Sequence, residues 1–357
     1  MRKETALFVC ALLLVSGCGT DSVSKAEVVF SDGIQKSYTE NVTANAQFVY
    51  PESCKAGKGT RVKLGKTLFW DTRDEIAQLL FQDREIAEKS VDDYGTVKYQ
   101  SYESAEDGAI LMVYDNNYLN FATDQSAYIN NVLFSDDRFD DYNGEQYQKK
   151  TDLDFMSQKE AWENVCETLD KLGVETSDSF SCYVMDHSTM AEEEKAAIAL
   201  AEAEDMKAPA AKQEWTEDDD CYYFKTCASW NGYPIIPVVT GEGMDEENVT
   251  VIYDKNGIES LYINGYYPLE KEQEIELQAP EAAADVIAEY LGNLISEETY
   301  EIQKVTLCQK VRQINPEKHT ADIVPVWECS VLVKYGDSSD ESYVSKFYVH
   351  AETLKVI

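Results

Sequence analysis

Pro280–Leu294, PEAAADVIAEYLGNL, decides the fold class together with the three runs behind it: Ile302–Ile314, IQKVTLCQKVRQI; Ile323–Tyr335, IVPVWECSVLVKY; and Tyr343–Ala351, YVSKFYVHA. The first run opens on Pro, which suits the first turn of a helix, and is rich in Ala. The other three are β-branched and aromatic, with apolar residues on alternate positions, as in half-buried strands. The order is therefore helix, strand, strand, strand. Val305, Leu307 and Val311 share one face of their strand, and Ile323, Trp327, Val331 and Val333 share one face of the next. All are odd-numbered, so opposed residues in that hairpin should match in parity. Cys308 and Cys329 then point to opposite faces, which disfavours a disulfide between them.

Outward from there, hairpins and amphipathic helices recur. Asn248–Tyr253 and Ile258–Asn264 flank Asn256-Gly257, a strong hairpin signal. Cys221–Ser229 and Tyr233–Val239 read as strands around Asn231-Gly232. Ser157–Leu172 reads as a helix with Ala161, Val165, Leu169 and Leu172 on one stripe, a Ser157/Glu160 capping box and Gly173 as its stop. Phe180–Met185 reads as a strand, and Ala191–Lys207 as an Ala/Glu-rich helix. In the first half, Ala26–Tyr50 is largely extended. Ala46, Phe48 and Tyr50 lie on one face, and Pro51 stops the run. Thr72–Glu85 has helical spacing through Ile76, Leu79, Leu80 and on to Ile86. Gly108–Tyr114 and Tyr118–Thr123 form a hairpin around Asp115-Asn116-Asn117. The expected architecture is α+β, in two domains of antiparallel sheets with packed helices: 26–133, then 151–357, joined by a polar linker at 134–150.

The amino terminus addresses location. Arg2 and Lys3 precede an apolar run from Ala6 to Val15, then Val15-Ser16-Gly17-Cys18, the layout of a secretion signal at 1–17. The run falls short of the roughly 20 apolar residues that span a bilayer. Val15-Ser16-Gly17-Cys18 resembles the lipobox of bacterial lipoproteins. That resemblance implies a fatty-acylated Cys18 at the start of the mature chain, with 18–25 as its tether, on the extracytoplasmic face of the cell membrane. Two acyl chains give stable anchoring where one would not.

The chain has 357 residues and a formal net charge of −36, and loss of Arg2, Lys3 and Glu4 with the signal makes it one unit more acidic. Such a surface opposes binding to nucleic acid, whose affinity comes from Lys and Arg on phosphates, and opposes lying flat on anionic lipid. Seven cysteines remain besides Cys18: Cys54, Cys166, Cys182, Cys221, Cys227, Cys308 and Cys329. The number is odd, no C-x-x-C occurs and there are three His, so neither a full disulfide framework nor a zinc site is expected. Cys221 and Cys227, six apart on one strand, would sit about 20 Å from each other.

The sequence carries little catalytic signal. No G-x-S-x-G elbow and no phosphate-cradling Gly loop is present, and no cofactor is implied. Asp186-His187-Ser188 crowds triad residue types into one turn, although triads assemble in space rather than in sequence. His319 belongs to a hairpin loop and His350 to a strand. The acidic stretch at 134–150 fails as a calcium loop, because five residues before Gly144 stands Phe139. Glu217-Asp218-Asp219-Asp220 reads as a solvated turn. Tyr222, Tyr223, Trp230 and Tyr233, with Tyr262, Tyr266 and Tyr267, could form a stacking platform for sugar or peptide, but strands favour Tyr in any case.

Asn231-Gly232-Tyr233-Pro234-Ile235, the Gly257 hairpin, the helix Ala282–Leu294, Pro325-Val326-Trp327-Glu328 and the closing Tyr348-Val349-His350-Ala351 together resemble the YycI/YycH group of extracytoplasmic proteins and, more loosely, PepSY-like modules. The resemblance covers about Trp215–Ile357. It implies a non-enzymatic module that modulates an envelope-sensing kinase. The chain departs from that group in its anchor, a lipid in place of a transmembrane helix. The expectation is a non-catalytic cell-surface lipoprotein that binds or regulates another envelope protein. The alternatives are a sugar- or peptide-binding lipoprotein beside a transporter and, third, an envelope hydrolase.

Overall fold

A computed structural model describes residues 28–357 apart from 66–68, 96, 106, 134–146, 148–150, 204–206, 209, 213, 238–246, 316–319 and 336–341. The secretion signal, Cys18, the tether, the loop with Phe139 and Gly144, and His319 lie outside the described residues.

The fold is α+β. An antiparallel sheet runs in the order β8 (Thr176–Met185), β9 (Cys221–Trp230), β11 (Val249–Asp254), β12 (Gly257–Ile263), β7 (Leu119–Ala122), β6 (Ile110–Tyr114), β5 (Lys98–Ser104), β4 (Ile86–Asp93). A second, mixed sheet holds β1 (Val28–Ser37), β2 (Val42–Pro51), β14 (Glu298–Asn315), β15 (Thr320–Tyr335) and β16 (Ser342–His350). The short β10 (Tyr233–Ile236) stitches them together, antiparallel to β9 and parallel to β14. A separate ribbon pairs β3 (Lys58–Leu64) with β13 (Leu269–Glu276).

The pairing links the two expected parts of the chain. β2 lies parallel to β14, and β7 lies antiparallel to β12. Within 26–133, β1 pairs with β2 and β4 to β7 pair in sequence, and strands of 151–357 continue each set. Most pairs are antiparallel, as expected, and β14 takes two parallel neighbours along one edge. Across 134–150 the one described residue, Tyr147, is fully buried beside Ile129, Val132 and Met190, so the segment is not a purely solvated linker.

Local chemistry sets the helix ends. α3 (Gln158–Lys171) starts where Ser157 Oγ accepts from Glu160 N at 3.2 Å, and stops at Gly173, whose φ of 73° is a left-handed conformation open to Gly. α1 (Arg73–Phe81) ends earlier than the spacing predicts. Gln82 turns to φ 53°, and Ile86 begins β4 instead of extending the helical stripe. α4 (His187–Ala203) begins four residues before expectation, because the Asp186 carboxylate caps it by accepting from Thr189 N at 2.9 Å. In the β11–β12 hairpin Asp254 and Gly257 are the closing pair, with Lys255-Asn256 between them, one step back from the expected Asn256-Gly257.

Helices α1 and α3 cover one face of the first sheet, where Ile76, Leu80, Val165 and Leu169 meet Leu111, Phe121, Phe224 and Leu261. α2 (Asp124–Leu133) and α4 cover part of the other face over Tyr223 and Ile252. On the second sheet α5 (Pro280–Gly292) lays Ala283, Ala284, Ile287, Ala288 and Leu291 on Phe48, Val305, Leu307, Trp327, Val331 and Val333. The register follows the parity reading: Val305 opposes Cys329, Leu307 opposes Trp327, and Val311 opposes Ile323. Cys329 joins the core under α5, whereas Cys308 lies with Ile236 and Val326 on the reverse face.

Candidate functional site

The reverse face of the second sheet, away from α5, carries a cleft of about 240 Å³. Pairing sets its floor: Phe30 of β1 stands beside Val49 of β2, which stands beside Thr306 of β14. Val28 and Pro234 extend the apolar lining, and Tyr50 and Leu307 border it while their side chains pack on the α5 face. The far wall belongs to the first sheet, where Glu175, Thr176 and Ser177 lead into β8 and Ser229 and Gly232 bracket the β9–β10 turn. The cleft thus lies where the two sheets are stitched together.

Backbone geometry holds that wall in place. Asn231 and Gly232 both adopt positive φ, at 48° and 77°, as a tight two-residue hairpin turn requires. Glu175 receives both turn amides, Asn231 N at 2.9 Å and Gly232 N at 3.0 Å, and its own carbonyl accepts from Ser229 N at 2.7 Å. Two polar groups in the lining remain unspent. Ser229 is 3% exposed, and its hydroxyl has no hydrogen-bond partner among the described residues. Lys304, half-buried, makes no ion pair among the described residues, although the chain carries 67 acidic side chains.

The residues singled out in the sequence lie elsewhere. Asp186 caps α4, Ser188 donates to Asp186, and His187 Nδ1 sits 2.8 Å from Asp220, so the three form no Ser-His relay. The Asp220 hydrogen bond raises the His187 pKa. In the acidic quartet Glu217 and Asp218 are exposed, as a solvated turn requires, whereas Asp219 and Asp220 are each 9% exposed. Asp219 pairs with Lys212 and accepts from Thr216 N, and together with Thr216 forms a capping box around a single helical turn. Among the described residues no group of three metal-ligating side chains occurs. His350 Nδ1 accepts from Glu352 N at 3.2 Å, closing a turn at the end of β16.

Of the expected aromatic platform, Tyr222, Tyr223, Tyr233 and Tyr266 are core, and Trp230, Tyr262 and Tyr267 are half-buried. Burial pushes Tyr222 and Tyr266 each up to about 12. Tyr262 instead ends a ladder of ring contacts running through Tyr118, Tyr114, Tyr99 and Tyr94, with centroids 5.1, 4.6, 5.1 and 5.8 Å apart. It crosses the uncovered part of the first sheet, and pairings such as Tyr99 with Tyr114 that create it are invisible without the register. The cleft itself was missed because its lining comes from six separate strands. The one local signal was Asn231-Gly232.

A carboxylate pair with opposed environments does occur, but its members do not line the cleft. Burial holds the Glu259 pKa above the usual carboxylate range, while the Arg84 guanidinium holds Asp107 below it. Arg84 contacts both, and Thr123 donates to Glu259.

No family model and no curated protein matches the chain. Among solved structures, the chain is similar to an uncharacterized protein from Eubacterium rectale, with a TM-score of 0.66 at 14% identity over 92% of this chain and 93% of that one. That likeness shows the fold alone. A likeness to the Bacillus megaterium YpeB C-terminal domain has a TM-score of 0.32 at 10% identity, over 82% of this chain and 98% of that one. Among the described residues no helix is long and apolar enough to cross a membrane.

Proposed function

We propose that this chain is a non-catalytic binding module of the bacterial envelope, held through a lipid on Cys18 at the extracytoplasmic face of the cell membrane, and that it binds through the cleft between its two sheets. One observation carries the binding reading: an apolar floor that ends on Lys304, an ammonium that makes no ion pair among the described residues. The cleft offers apolar contact, hydroxyls and single charges, which are the means of holding a molecule. The anchor reading rests on Val15-Ser16-Gly17-Cys18 and the charged start before it. A strongly acidic body on a lipid tether would stand off an anionic membrane and leave the cleft open to its surroundings.

Two outputs are compatible with such a module: regulation of an envelope protein such as a membrane kinase, and delivery of a ligand to a transporter. The aromatic side chain of Phe30, exposed on the cleft floor, favours a ligand that is handled directly. The test is cell fractionation of wild type and Cys18→Ala, followed by cross-linking on intact cells and mass spectrometry of co-purifying proteins. The expected result is wild type with the membranes and Cys18→Ala released. A variant that stays with the membranes overturns the anchor. A co-purifying permease selects delivery, and a co-purifying kinase selects regulation.

A further inference from the structure

We propose that the cleft takes a small zwitterion with an apolar body, an apolar amino acid or dipeptide, with its carboxylate on Lys304 and its ammonium on Glu175. This rests on the reading of the cleft as the binding site and adds the class of ligand. Three observations converge on it. Lys304 is a cation in the lining without an ion pair among the described residues. Glu175 lines the opposite wall. Its carboxylate receives two backbone amides, at 2.9 and 3.0 Å, and a carboxylate has about four acceptor sites, so capacity remains for an ammonium. The rest of the floor, with Phe30 and Val49, is apolar and suits an aliphatic or aromatic side chain.

The same inventory argues against other classes. A neutral sugar would cover the lysine and the glutamate without neutralising either, and a covered charge without a partner is costly. A fatty acid would satisfy Lys304 but set its chain against the Glu175 carboxylate. A volume of about 240 Å³ lies below the usual range for drug-sized ligands, which fits one or two residues and excludes a folded partner.

The test is isothermal titration of the mature full-length protein with leucyl-leucine, with the same dipeptide acetylated and amidated at its ends, with octanoate and with maltose. Wild type is compared with Lys304→Gln and Phe30→Ala. Both positions are partly exposed, and unchanged circular dichroism and melting temperature confirm that the variants fold. The expected result is binding of leucyl-leucine that weakens about tenfold or more when its ends are blocked and by a similar factor in Lys304→Gln, because a hydrogen bond to a charged group is lost in each case. The blocked peptide should be indifferent to Lys304→Gln. Equal affinity for free and blocked peptide overturns the assignment. Octanoate or maltose binding more tightly than the dipeptide, with loss in Phe30→Ala, overturns the zwitterion and leaves the cleft as the site. Absence of any Phe30-dependent binding across the panel overturns the assignment and the cleft reading together.

Discussion

Single residues carry chemistry that their types alone do not announce. Glu259 is 6% exposed, faces Asp254, Asp107 and Arg84, and has a pKa raised chiefly by burial. An acid whose folded-state pKa is raised holds its proton more tightly when folded, so its stability contribution is full below the unfolded value and is lost as pH rises through the folded one. Glu259→Gln should therefore match wild type near pH 4 and melt higher than wild type above neutrality, as read by thermal unfolding across pH. A lower melting temperature for the variant at every pH would mean that the Arg84 contact outweighs the burial cost. Gly33 gives a steric prediction. A Cβ there would lie 1.3 Å from the Ala46 carbonyl oxygen, in the bulge between Ser31 and Ile34. Gly33→Ala must push β1 off β2, and a loss of about 1–3 kcal/mol by chemical denaturation is expected. β1 also supplies Phe30, so the same change should disturb the cleft.

At the scale of elements, the helix α5 and the strands β14 to β16 were legible because each has its own period. Pro280 starts the helix, and the odd-numbered apolar residues of β14 and β15 meet in register under it. Leu307 is fully buried there, opposite Trp327. Leu307→Ala should cost about 2–5 kcal/mol, measured by urea unfolding. A cost under about 1 kcal/mol would mean that the core under α5 collapses to fill the space. The helix α3 was legible for the same reason, down to its Ser157 cap. Other elements were not, because the deciding information is not local. Nothing near Ile86 says that the chain leaves α1 and enters β4; Gln82 makes that turn with a φ that non-glycine residues seldom adopt. Nor does the acidic run at Glu217–Asp220 disclose that Lys212 and His187 fold back to meet it.

For the whole molecule, interleaving is the main consequence of the topology. β1 and β2 complete the sheet of β14, and β4 to β7 extend the sheet of β12, so neither half of the chain closes a core alone. No window of sequence shows this, since parallel pairs such as β2 with β14 join residues some 250 positions apart. A fragment of 151–357 should accordingly lack a cooperative melt, whereas the mature chain should keep one; an independently melting fragment, followed by calorimetry, would show that strand exchange between the halves is dispensable. Interleaving also sets β1 and β2 against the β9–β10 turn and so creates the cleft on which the proposed function depends. The most direct test of that function places a photo-activatable cross-linking amino acid at Phe30, 60% exposed, and at the exposed control position Val91, 61% exposed, and irradiates intact cells. The account predicts a low-mass adduct on the Phe30 site that is absent at Val91 and disappears with Lys304→Gln. No adduct at Phe30, or the same adducts at both positions, would contradict it.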